Sequence, residues 1–150
     1  MFDFLFRKKY FSIPEQDKIL AAIRDAEHAT SGEVRLYIES KCKTATSLER
    51  AMAVFHSLKM EQTKDRNAVI LYIAMESRKL AIYGDEGIHN TVGQDYWEST
   101  IWELATHFKN GNMTGGIVEA IHDIGKKLQV HFPYTDGDKN ELPDDIVFGR

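Results

Sequence analysis

The segment Tyr83-Gly84-Asp85-Glu86-Gly87-Ile88-His89 gathers two carboxylates, an imidazole and two glycines in seven residues. Carboxylate oxygens hold hard cations, and a carboxyl group beside an imidazole can move protons. Glycine lets the chain turn sharply and bring its backbone close to a ligand. Two chemistries follow. In one, oxygen ligands bind calcium, with magnesium as the alternative. In the other, Asp85 and His89 work as a carboxylate–imidazole pair in proton transfer.

The elements that position this segment can be read from hydrophobic period. Ser12-Ile13-Pro14-Glu15 has capping-box spacing, and Ile19, Leu20, Ile23 and Ala26 continue it as a helical stripe. Glu33 to Glu39 alternates, with Val34, Leu36 and Ile38 on one face and Arg35, Tyr37 and Glu39 on the other, the pattern of a half-buried strand. Thr46 and Glu49 repeat the cap spacing before a helix running to about Gln62. Asn67 to Ala74 is an almost unbroken apolar run, as expected of a central strand, and Lys79 to Tyr83 returns as its hairpin partner. A helix through Tyr96, Trp97, Ile101, Leu104, Ala105 and Phe108 should end at Gly111. Thr114 should cap a last helix bearing Ile117, Val118, Ile121, Ile124 and Leu128.

A strand, a helix and a strand of this length form a βαβ unit with parallel strands, and the hairpin strand then runs antiparallel to both. The end of the third strand must therefore reach the rim where the first two begin. Glu33, Asp65, Asn67, Asp85 and Glu86 are the expected metal ligands there, with Arg66 and His89 at the edge of the site. Zinc is disfavoured, since His89 is the one imidazole at this rim and Cys42 belongs at the far end of the first strand. Asp, Asn and Gly are also ordinary turn formers, so a merely wet strand end is the competing explanation.

The chain has 150 residues, 43% of them hydrophobic, enough for one ordinary core. With 19 Lys+Arg against 23 Asp+Glu the formal net charge is -4, which gives no general attraction for nucleic acid. The single cysteine, Cys42, allows no internal disulfide and fits a cytoplasmic, monomeric protein. No apolar run approaches the ~20 residues of a membrane span. Residues 1–12 read as an N-terminal arm, in which Phe2, Phe4, Leu5 and Phe6 precede Arg7, Lys8 and Lys9. Such an arm could fold onto the core or anchor the protein peripherally at a membrane surface, as an adaptor. Residues 13–133 form the α/β domain, and residues 134–150 read as an acidic mobile tail.

Several stretches together resemble the TPM domain, a family named for a plant thylakoid-lumen protein, a photosystem repair protein and a nematode receptor-accessory protein. They are Thr30-Ser31-Gly32-Glu33-Val34-Arg35, Arg66 to Tyr72, Arg78 to His89, His107 to Gly111 and Gly116 to Ile121. The resemblance spans roughly Pro14 to Pro133. It implies a three-layer α/β/α sandwich around a small mixed sheet, a divalent-cation site at the loop edge, and a non-catalytic binding or accessory role toward an unknown protein partner in a membrane-associated complex. It also implies, as the alternative, a metal-assisted acid phosphatase, in which Asp85 would be the nucleophile and His89 the acid, with Arg66 and a cation drawing charge from the phosphoryl oxygens; the chain is poorly equipped for it, having no Gly-x-x-x-x-Gly-Lys loop, no cysteine phosphatase signature and no tight Ser/His/Asp spacing. Asp85 stands where many members carry an apolar residue beside the glutamate matched by Glu86, which makes this loop more acidic. The signal peptide and membrane anchor of many members have no counterpart here.

Overall fold

The computed structural model describes residues 10–135 and 146–149. Ser12 caps helix α1 (Ile13–Ala29) through the reciprocal box expected: its hydroxyl accepts from the Glu15 N–H, and the Glu15 carboxylate accepts from the Ser12 N–H. Strand β1 (Glu33–Glu39) follows, then helix α2 (Ser47–Ser57), capped by Thr46, which accepts from the Glu49 N–H. Strands β2 (Ala68–Ala74) and β3 (Lys79–Gly84) form the hairpin. Helix α3 (Glu86–Val92), a 3-10 turn (Gln94–Trp97), and helices α4 (Glu98–Lys109) and α5 (Met113–His131) precede strand β4 (Ile146–Phe148).

The sheet order is β3-β2-β1-β4, with β1 parallel to β2 and to β4, and β3 antiparallel to β2. Strand β2 is central and apolar on both faces because helices cover both. On one face α2 brings Ala51, Val54 and Phe55 onto Ile70, Tyr72 and Tyr37. On the other, α1, α4 and α5 pack Ile19, Ile23, Leu104, Ile121 and Leu128 against Leu36, Ile38, Leu71 and Ile73. The result is the expected α/β fold in three layers.

Four features differ from the sequence reading. All seven residues of β1 are buried rather than every second one, because helices cover both faces of the sheet and Arg50 of α2 meets the charge of Glu39 there. Ile146–Phe148, expected inside an acidic tail, forms β4, and Ile146 is only 2% exposed; three apolar residues suffice when an open strand edge accepts them. Thr114 does not cap α5, whose N-cap is Asn112, and its hydroxyl instead donates to Glu15 Oε2 at 2.7 Å, tying α5 to the start of α1. The segment 85–92 is not a loop but a short helix entered at Asp85. From the expected arm, Phe11 is buried in the main core. Phe2, Phe4, Leu5, Phe6, Arg7, Lys8 and Lys9, and residues 136–145 of the tail, lie outside the described residues. No helix among the described residues is long and apolar enough to cross a membrane.

Candidate functional site

Strand direction brings the expected segments to one rim. Glu33 pairs in register with Ala68, Val69 with Gly84, and the Asp85 N–H donates to the Ala68 carbonyl at 2.9 Å. The chain leaving β3 is thereby fixed across the start of β2. Gly87 presses closest: a Cβ there would lie 2.2 Å from the Asp65 carbonyl oxygen and 2.5 Å from that of Arg66. Its own N–H donates to the Arg66 carbonyl at 2.8 Å. Any side chain at position 87 would push these backbones apart, which is why glycine stands there. Arg66 adopts φ 50°, a left-handed conformation unusual outside glycine and asparagine, and the Gly87 N–H that its carbonyl accepts helps to hold it there.

Arg66 is the centre of this rim rather than its edge. Its Nε donates to Asp85 Oδ2 at 2.6 Å and its Nη2 to Asp85 Oδ1 at 2.8 Å, a bidentate pair, while Nη1 donates to Glu86 Oε1 at 3.0 Å. Asp85 Oδ1 also accepts the Glu86 N–H at 2.8 Å, as the N-cap of α3. Both oxygens of Asp85, itself 1% exposed, are thus engaged. The Asp85 hydrogen bond is also the chief reason the Arg66 guanidinium titrates above its ordinary range. Burial, and next the Asp85 charge, raise the nearby Tyr83 phenol.

The other expected ligands do not close round one point. By the alternation of the sheet, Glu33 shares a face with Ala68 and α2, whereas Asn67, one residue before Ala68, turns to the other face. Asn67 is buried; its Nδ2 meets Ser31 Oγ at 3.4 Å, and its Oδ1 has no hydrogen-bond partner among the described residues. Asp65 and His89 are exposed; the His89 N–H donates to the Asp85 carbonyl at 2.8 Å, but among the described residues its imidazole makes no hydrogen bond or ion pair with the Asp85 carboxylate. Among the described residues, no three His, Cys, Asp or Glu side chains gather as a group able to hold a metal. Of the expected ligands only Asp85 and Glu86 meet, and they meet on Arg66; Asp65 reaches the rim through its backbone carbonyl at the Gly87 contact.

The opposite rim carries a second cluster that sequence reasoning missed. Glu39, the last residue of β1, is fully buried. Its Oε2 accepts from Arg50 Nε at 2.8 Å and its Oε1 from Arg50 Nη2 at 2.9 Å; Tyr72 Oη donates to Oε2, and Lys43 lies 4.0 Å away. Burial pushes the Glu39 carboxyl up, but the hydrogen bonds of Arg50 and Tyr72 and the Arg50 charge outweigh it, leaving a net fall. Burial and the bond to Glu39 push the Tyr72 phenol up. Tyr37 stacks on Tyr72 with ring centroids 6.1 Å apart. Beside them Cys42, partly buried, places Sγ 3.7 Å from Thr44 Oγ1. Burial raises that thiol, while contacts with Thr44 and Tyr72 outweigh it and lower it on balance. The one available signal was a carboxylate closing a strand whose neighbours are apolar, since such a residue needs a cation close by.

A four-stranded mixed sheet between helical layers, with a polar rim where β3 ends, defines a small three-layer α/β fold. Compared with known families, residues 7–127 match the model described as the TPM domain, and the chain belongs to that family. The NMR structure of BA42 protein from the psychrophilic bacterium Bizionia argentinensis is 41% identical, with a TM-score of 0.86, over 93% of this chain and 96% of that one. The solution NMR structure of the N-terminal domain of a protein from P. gingivalis shares the fold at 13% identity, with a TM-score of 0.68, over 83% of this chain and 82% of that one. No curated protein matches the chain.

Proposed function

We propose that this TPM domain is a non-catalytic binding module whose N-terminal rim takes a divalent cation, calcium before magnesium, in competition with Arg66. The observation that carries the reading is the commitment of Asp85: two oxygens, a bidentate guanidinium and a helix N–H. A carboxylate so engaged is a poor nucleophile, and exposed His89 offers it no proton partner, which counts against the phosphatase alternative that the family model's label, TPM phosphatase, suggests. Arg66 instead acts as a tethered cation on Asp85 and Glu86. A hard cation could take its place, with the Asp85 and Glu86 carboxylates as ligands and water completing the shell. Calcium tolerates such an irregular, water-rich set better than magnesium does. Few protein ligands and a competing guanidinium predict weak binding, in the range of roughly 10⁻⁴–10⁻³ M seen for open modules.

The test is a calcium titration followed by amide and Arg66 side-chain NMR. Saturable shifts at residues 65–67 and 85–89, with the Arg66 Nε–H leaving its Asp85 position, are expected. Silence at those sites through concentrations of about 10 mM, well beyond the expected range, would dispose of the cation reading. Turnover of a phosphomonoester that vanishes in Asp85→Asn would reinstate catalysis.

A further inference from the structure

Strand β3 is the edge of the sheet, and a furrow runs along it between α2 and α4. Two hollows, of about 690 and 800 Å³, share Leu80 and Ala105 and so form one continuous trough. Its floor is Leu80, Ala81 and Ile82; its walls include Leu48 from α2 and Ile101, Trp102 and Phe108 from α4. Trp102 is 71% exposed at the rim, an unusual place for the side chain with most to gain from burial. The ends of the trough differ in charge. Among the described residues, Arg78 and Lys109 outnumber Glu76 where β3 begins, and where it ends Asp95 and Glu98 stand with no cation lining the hollow. None of the rim residues of the candidate cation site lines it.

An exposed strand edge ordinarily recruits another strand. Here the outward carbonyls are already occupied: Ser47 Oγ donates to the Leu80 carbonyl at 2.9 Å and Gln94 Nε2 to that of Ile82 at 2.7 Å. An added strand would have to strip both. A helix satisfies its own backbone and needs only side-chain pockets, so it can lie over these plugs undisturbed.

We propose that the trough binds an amphipathic helix of a partner protein, laid parallel to β3, with its acidic N-terminal turn over Arg78 and Lys109 and its basic C-terminal turn over Asp95 and Glu98. Acidic residues in the first turn and basic ones in the last also stabilise the partner helix itself, so its side-chain charges, not its dipole, set the orientation. Six strand residues span roughly 20 Å, which corresponds to about 13 helical residues and places apolar anchors at i, i+3/i+4 and i+7 against Leu80, Ile101 and Trp102.

The probe is a synthetic peptide of about that length with leucines at those anchor spacings, glutamates in its first turn and lysines in its last, end-blocked to remove terminal charges. Titrated into the full chain, it should shift the Trp102 indole and the Leu80, Ile82 and Ile101 signals. Trp102→Ala, a change at an exposed position that leaves the fold intact, should weaken binding about tenfold, as an interface anchor does. Replacing Arg78 and Lys109 by Glu should weaken it further, and a peptide with lysines first and glutamates last should recover part of the loss. Five results would each overturn the proposal. They are absence of binding, affinity indifferent to Trp102, affinity indifferent to charge order, a peptide bound as an extended strand with the Ser47 and Gln94 bonds broken, and a dimer that buries Trp102, which would make a second copy the occupant.

Discussion

The two rims of the sheet each hold an arginine in bidentate grip of a carboxylate, yet they differ in what surrounds the pair. At the rim where β1 ends, Arg50 reaches down from α2 onto Glu39, and Tyr72, stacked on Tyr37, closes the pair in. At the N-terminal rim Arg66 is more than a third exposed and Glu86 largely so, and the chain carrying Asp85 turns at once into a short helix. Both carboxylates are buried, so what differs is the arginine: Arg50 is largely covered, whereas Arg66 lies partly in water and can turn away at less cost. The first arrangement holds the fold, and the second is where the proposed exchange of cations would take place.

That contrast is sharpest in stability. Glu39→Ala should cost about 4 kcal/mol by denaturant unfolding, because Arg50 and the Tyr72 hydroxyl lose a buried partner together; a loss under about 1 kcal/mol would mean the cluster is wetter than its burial suggests. Next comes Gly87→Ala, about 2 kcal/mol, from a Cβ driven into the Asp65 and Arg66 carbonyls. Shifts confined to the 65–67 and 85–89 signals would accompany it.

Smaller again is Asp85→Ala, about 1 kcal/mol for the lost N-cap of α3, with Arg66 turning to water. Asp85→Asn, which keeps a capping oxygen, should recover most of this, as judged by thermal melts. Glu39→Gln should recover far less of its loss, since the amide cannot accept the whole Arg50 fork.

The pH dependence has a definite sign. The folded Glu39 carboxyl lies below its ordinary value, against the push of burial, because of Arg50 and Tyr72. Its contribution is therefore complete above the unfolded carboxyl value of about 4.3 and is lost as pH falls through the lower folded value. Glu15, lowered chiefly by the Ser12 N–H, acts in the same direction. Melting temperatures should fall as the pH drops below about 4, and Glu39→Gln should flatten that slope. A slope unchanged in the variant would assign acid sensitivity elsewhere. At the small end, Trp102→Ala should leave stability within about 0.5 kcal/mol.

The same contrast explains what could be read in the sequence. The helix and strand order, the parallel β1–β2 pair, the hairpin and the rim where β3 ends all follow from local period and strand direction, and Asp85, Glu86 and Arg66 do meet there. The pairing of Arg66 with Asp85 was not legible, because it depends on a left-handed turn that aims a side chain across 19 positions. The Glu39 cluster unites residues up to 33 positions apart, and alternation alone placed Glu39 and Arg35 in water. Strand β4 escaped because three apolar residues carry no period of their own. The helix over 86–92 was hidden by two glycine-rich turns that read as loop.

The most direct measurement of the central claim is calcium affinity in the wild type against Arg66→Gln, with dispersed NMR spectra confirming that the variant is folded. If Arg66 is the tethered occupant of this rim, removing its charge should tighten calcium binding several-fold, with shifts still centred on Asp85 and Glu86. Equal or weaker affinity in Arg66→Gln, or shifts away from these two carboxylates, would contradict the account.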